Sequence, residues 1–174
     1  MSKKGFTLIE LMVVIAIIGV LSSVLAPQLF KQINKGRIAA AVSFHNSLKT
    51  AASSYYSDTE QWPSDKNDLS AMISSGCGSS GTGTCPAGWG GPYVDRWPGA
   101  GPWVGSTYTW ASNSSNPWGT IPVRYVILTC GASGSCTTAD FDEIDKKVDG
   151  GTASGTAGAI RYSGTTAQLL VSAN

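Results

Sequence analysis

The sequence predicts an α+β fold: a long N-terminal α-helix, with a membrane-spanning half and an amphipathic half, packed on a small antiparallel β-sheet with a long irregular loop region. Three observations support this. Residues 6–25 hold one charge, Glu10, among otherwise uncharged and mostly apolar side chains. Apolar residues then recur at helical spacing as far as Tyr55. Beyond Gly76 the chain turns rich in Gly, Ser and Thr, with short β-branched and aromatic runs that read as strands.

At about 1.5 Å per residue, residues 6–25 are long enough to cross a bilayer core of roughly 30 Å. A lone carboxylate in such a segment is costly and calls for a partner cation. Pro27 removes a backbone donor and Gly19 lowers helix propensity, so residues 19–27 are expected to kink or unwind. Past Pro27, Leu29, Ile33, Ala40, Phe44, Leu48, Ala51 and Tyr55 mark one helical face, and the helix is expected to end near Tyr56. The two halves have different surroundings, lipid or sister helices for the first and a sheet for the second.

Glu60-Gln61-Trp62-Pro63-Ser64 breaks the helical pattern, and residues 64–75 suggest a short helix stopped at Gly76. Residues 76–119 read as irregular, with short strands at Pro92-Tyr93-Val94 and at Ser106-Thr107-Tyr108-Thr109-Trp110. Val123-Arg124-Tyr125-Val126-Ile127-Leu128 is the clearest strand. Thr137-Thr138-Ala139-Asp140 has the form of a cap before a helix through about Val148, with Gly150-Gly151 as its stop. Residues 159–162 and 167–171, flanking Ser163-Gly164-Thr165-Thr166, read as a closing hairpin.

The 174 residues suit one globular domain on a helical stalk. A net charge of +1 and only 13% charged residues create no demand for a nucleic-acid partner. Cys77 and Cys85, and Cys130 with Cys136, form two close pairs for which local disulfides are expected, although four cysteines permit three connectivities. Metal binding is the rival, but there is no Cys-x-x-Cys element and the single histidine, His45, is remote in sequence. Disulfides place the downstream part in an oxidising compartment. Charge counting leaves the orientation open, because Lys3 and Lys4 precede the apolar run while Lys31, Lys35 and Arg37 follow it.

The run Lys4-Gly5-Phe6-Thr7-Leu8-Ile9-Glu10, followed by its apolar stretch, resembles the type III signal of type IV pilins and type II secretion pseudopilins. The resemblance covers about the first 55 residues. It implies a leader, residues 1–5, cleaved by a prepilin peptidase between Gly5 and Phe6, and N-methylation of Phe6. A secretory signal is cut after its apolar core, whereas this cut precedes it, so the helix stays on the mature chain. The new Phe6 amine would then meet Glu10 of a neighbouring chain and set the register between subunits. The resemblance further implies a long helix over residues 6–56, its part 6–27 used for membrane insertion and assembly, and an exported head over residues 57–174. It implies an inner-membrane precursor with a cytoplasmic N-terminus, then an extracellular pilus filament or a periplasmic pseudopilus. Expected partners are copies of the same chain, the peptidase, an inner-membrane assembly platform and minor pilins. Gly91-Pro92-Tyr93-Val94 and Asn116-Pro117-Trp118-Gly119 are similar to turns of the major pseudopilin, but that subunit normally ends in an acidic calcium-binding region and no acidic side chain follows Gly150 here. The leading expectation is therefore a pilin serving adhesion, motility or DNA uptake. A pseudopilin, or a minor tip subunit that binds carbohydrate or DNA, is the alternative.

Trp89, Trp97, Trp103, Trp110 and Trp118 crowd one region and could stack on sugars or bases. Packing in a core poor in aliphatics is the favoured reading, and Arg96 alone among these rings offers a phosphate contact, so nucleic acid is at most secondary. Asp140, Asp142, Glu143, Asp145 and Asp149 form an acidic cluster compatible with calcium, but helical spacing spreads them around a cylinder and early acids favour a helix start anyway. His45 is expected to pack rather than catalyse, Asn113-Ser114-Ser115 is a weak glycosylation sequon, and no nucleophile, base or metal set suggests an enzyme or a cofactor.

Overall fold

The computed structural model describes residues 5–70, 76–78, 83–113, 118–119, 122–131, 136–150 and 155–173. Residues 1–4 of the expected leader, residues 71–75 of the expected short helix, Ser114 and Ser115 of the sequon, Asn116 and Pro117, and Gly151 lie outside them. The chain divides into two compact units, one up to Arg37 and one from Ile38 onward.

Helix α1 runs Leu8–Thr59 as unbroken α-helix, including Gly19 and Pro27. The expected unwinding at residues 19–27 is therefore not seen in this chain. One missing proline donor removes a single bond from a ladder whose neighbours are mostly good helix formers. In the first unit every described residue from Gly5 to Ile33 is exposed, and α1 is long and apolar enough to cross a membrane by length and composition.

In the second unit α1 buries Ile38, Ala41, His45, Leu48, Ala52, Tyr55 and Thr59, steps of three and four that define one face. Leu48, Ala51 and Tyr55 of the expected stripe are buried as read, whereas nearer the N-terminal end the face shifts by one residue, because Ala40 is exposed and Phe44 half-buried while Ala41 and His45 point inward. A polar residue at a core position concealed the true phase. Helix α2 (Lys66–Ser70) is short. The expected strand at residues 92–94 does not form; instead the Tyr93 and Val94 amides both donate to the Leu69 carbonyl, at 2.8 and 3.0 Å.

Strands β1 (Thr107–Asn113), β2 (Val123–Thr129), β3 (Ile160–Ser163) and β4 (Thr166–Ala173) form one antiparallel sheet in the order β1-β2-β4-β3. Helix α3 (Thr138–Asp149) sits between β2 and β3 in sequence. Its Asp140 carboxylate accepts from the Thr137 N–H and hydroxyl, at 2.7 and 3.0 Å, and it ends at a left-handed Gly150, as the sequence signals predict. Register aligns Trp110 with Val126 and Leu169, and Tyr108 with Leu128 and Ala167. All six are buried, and they face Leu48, Ala52, Phe141 and Ile144 in a single core. Gly164, at φ 57°, supplies the positive dihedral for the two-residue turn between β3 and β4.

Candidate functional site

At the start of α1 the Thr7 N–H and hydroxyl both donate to Glu10 Oε2, at 2.9 and 2.7 Å, while the Glu10 N–H donates to Thr7 Oγ at 3.3 Å. This is a capping box built from Thr7-Leu8-Ile9-Glu10, satisfying donors that the first helical turn would otherwise leave open. Thr7 is the functional neighbour that the sequence reading passed over. Its signal was present, since threonine three residues before glutamate at the head of an apolar run is the capping spacing. Glu10 remains exposed, and both hydrogen bonds its carboxylate accepts from Thr7 fall on Oε2. Phe6 beside it is 83% exposed, and Leu8, Ile9, Leu11 and Met12 are exposed too. The carboxylate is thus oriented by its own chain while one oxygen stays open to a second group.

His45 is 1% exposed, and its Nε2 donates to the Leu170 carbonyl at 2.7 Å. A carbonyl only accepts, so the ring carries its proton on Nε2 and presents the Nδ1 lone pair to the interior. Burial lowers the imidazole pKa, opposed in part by the Leu170 bond. The residue ties α1 to β4, with its Nδ1 enclosed in the interior away from solvent.

The tryptophans do not form a common exposed surface. Trp103 and Trp110 are buried in the core, which removes them from the expected surface-binding set: large rings fill the space under a sheet with few aliphatic residues. Trp89 and Trp97 are half-buried, with indole N–H groups donating to the Asp68 and Tyr108 carbonyls at 3.1 and 3.3 Å. Trp97 packs edge-on against Phe44 and Trp110. Trp118 is also half-buried, donating to the Gly158 carbonyl at 2.8 Å.

The acids of α3 are engaged by their own chain. Asp140 caps the helix, Asp142 accepts from the Tyr162 hydroxyl, Asp149 accepts from the Ala159 N–H at 2.8 Å, and Asp145 is buried. Among the described residues no three His, Cys, Asp or Glu side chains gather as a metal site. Both cysteine pairs are local disulfides, Cys77 with Cys85 and Cys130 with Cys136. The first encloses a bridge in which Cys77 and Gly83 exchange N–H to carbonyl bonds of 3.0 and 2.8 Å. The second joins the end of β2 to the start of α3.

Comparison with known proteins adds to this geometry. The family model described as "PilW, C-terminal" matches residues 32–121, just over half of the chain, and the prokaryotic N-terminal methylation motif matches residues 1–26. A fimbrial protein of Eikenella corrodens is 44% identical over 63 residues, 36% of this chain and 41% of that protein. A type IV major pilin protein of Neisseria gonorrhoeae is 38% identical over 73 residues, 42% and 43% of the two chains. A type II secretion system core protein G of Pectobacterium carotovorum subsp. carotovorum is 41% identical over 71 residues, 41% and 46% of the two chains. The chain spans less than half the length of these relatives. No solved structure matches it significantly. With that model over more than half its length and the methylation motif at its head, the chain belongs to the PilW C-terminal family, within the type IV pilins and pseudopilins.

Proposed function

We propose that this chain is a structural subunit of a type IV pilus-like filament, polymerised through residues 6–27 of α1. The carrying observation is a helix that exposes an apolar surface all round and bears one preoriented carboxylate, Glu10, at its head. Such a surface needs lipid or like helices around it, and a filament core supplies the second after the membrane has supplied the first. A prepilin peptidase cuts between Gly5 and Phe6, and the methylated Phe6 amine pairs with Glu10 of a neighbouring subunit. Before assembly the precursor sits in the inner membrane with a cytoplasmic N-terminus and an exported head; the platform and minor pilins draw it into the filament. The role is mechanical and not enzymatic, in keeping with relatives named as fimbrial and secretion-system core proteins.

The pseudopilin reading is kept because a core protein G is among the relatives at 41% identity. Mass spectrometry of filaments sheared from cells separates the two. A dominant chain beginning at N-methylated Phe6 makes it a major pilin. A processed chain confined to the cell envelope makes it a pseudopilin or a minor subunit, and a chain still carrying Gly5 refutes the processing step.

A further inference from the structure

The face of the sheet opposite the core carries a small pocket, rimmed by Arg161, Ser163, Thr166 and Gln168, that the assembly reading does not use. Ala167, Leu169 and Val171 of β4 are buried, so strand alternation turns Thr166 and Gln168 to the other face. Register sets Arg161 of β3 beside Gln168, and Ser163 beside Thr166. These four residues, with Gly155 and Tyr162, line a pocket of ≈ 230 Å³. Arg161 Cζ lies 5.9 Å from the centre of the Trp118 ring, which is anchored by its bond to Gly158 and packs on Tyr125 with ring centres 5.4 Å apart.

Two polar atoms buried here, Arg161 Nε and Gln168 Oε1, have no hydrogen-bond partner among the described residues, although their residues are cross-strand neighbours. Among the described residues no carboxylate pairs with the guanidinium. Unmet groups of this kind are costly, and their chemistry specifies what would satisfy them. A guanidinium only donates, and it matches a carboxylate best; an amide oxygen needs a donor; the Ser163 and Thr166 hydroxyls serve either way. The Trp118 ring face beside Arg161 Cζ, at 5.9 Å, adds a cation–π contact to the guanidinium. One small unit with a carboxylate and several hydroxyls answers all of these demands. We propose that this pocket binds an acidic saccharide, its carboxylate on Arg161 and a ring hydroxyl donating to Gln168. A simple anion leaves Gln168 unmet, and a neutral sugar leaves the cation without a counter-charge.

The site lies wholly within the second unit and does not depend on polymerisation. The test uses the full-length chain in detergent micelles, titrated with D-glucuronate, D-glucose and acetate and followed by saturation-transfer NMR. Saturable glucuronate binding about tenfold or more tighter than either control is expected, and Arg161→Gln and Arg161→Lys should each weaken it by about tenfold to a hundredfold. Acetate binding as tightly as glucuronate reduces the pocket to a plain anion site and overturns the proposal. Equal affinity for glucose, no saturable binding, or unchanged affinity in a variant whose circular dichroism matches the parent overturns it as well.

Discussion

The capping box and the proposed intersubunit ion pair make separable demands on Glu10, and three substitutions distinguish them. Thr7→Ala removes the hydroxyl that both donates to Glu10 Oε2 and accepts the Glu10 N–H, yet leaves the charge. Loss of a threonine cap costs about 1 kcal/mol, roughly fivefold in the population of a well-formed first turn. Filament yield should therefore fall modestly. Glu10→Gln does the reverse, since a glutamine carbonyl can still accept the Thr7 N–H, now at 2.9 Å from Oε2, but carries no charge for the Phe6 amine. If the ion pair sets assembly, Glu10→Gln should be as defective as Glu10→Ala, and far worse than Thr7→Ala. The assay is immunoblotting of the sheared filament fraction against the membrane fraction, which reports assembly and insertion together. Normal filament yield from Glu10→Gln, with a defect in Thr7→Ala, would falsify the ion-pair mechanism and leave Glu10 as a cap alone.

Three further outcomes are expected. Burial lowers the His45 pKa, so below the ordinary imidazole value of about 6.5 the unfolded chain takes up a proton that the folded chain resists, and stability should fall as pH drops from 7.5 to 5. Thermal melts of the parent and of His45→Leu check this, because the variant should lose that part of the slope. Replacing both cysteines of either disulfide by serine should destabilise the head by roughly 2–3 kcal/mol, given loops of separation 8 and 6, as read by denaturant titration. Leu48→Ala or Trp103→Ala, each at a position no more than 1% exposed, should cost about 3–5 kcal/mol. Protease sensitivity of the head would then rise, a signature that Glu10→Ala should not share.

What could be read from the sequence followed the strength of local chemistry. Thr137 and Gly150 bound α3 because a cap and a left-handed stop are written in single residues, and β2 was plain from Tyr125, Val126 and Ile127. The strand expected at residues 92–94 failed because Tyr93 and Val94 satisfy their amides on one distant carbonyl, that of Leu69, a non-local choice no spacing rule reveals. The face of α1 is legible at Leu48, Ala51 and Tyr55 but off by one residue at Ala40 and Phe44, for a related reason. An apolar count cannot select His45 as a core position, because its burial rests on a bond to Leu170, 125 residues away. At the candidate site Glu10 stands out by its isolation in an apolar run, whereas Thr7 is a common polar residue whose role shows only in its three-residue spacing to Glu10.

The division of α1 between the two units explains why one helix can serve two settings. From Ile38 onward its buried face is fixed by the sheet, with Leu48 and Ala52 fully enclosed, so that half is part of a folded head whatever surrounds it. Before Arg37 no described residue is buried, and from Phe6 to Leu25 the side chains are predominantly apolar on every side, with Glu10 the one charge. That half has no stable place in an aqueous monomer, because its surface is of the kind that lipid or like helices must cover. Moving from lipid to a helical bundle exchanges one apolar environment for another, so apolar transfer alone gives little direction to the step. Packing and polar contacts must supply it. Glu10 is the charged group in residues 6–25 available for such a contact, and the capping box holds it at the first turn where a neighbouring N-terminus could reach it.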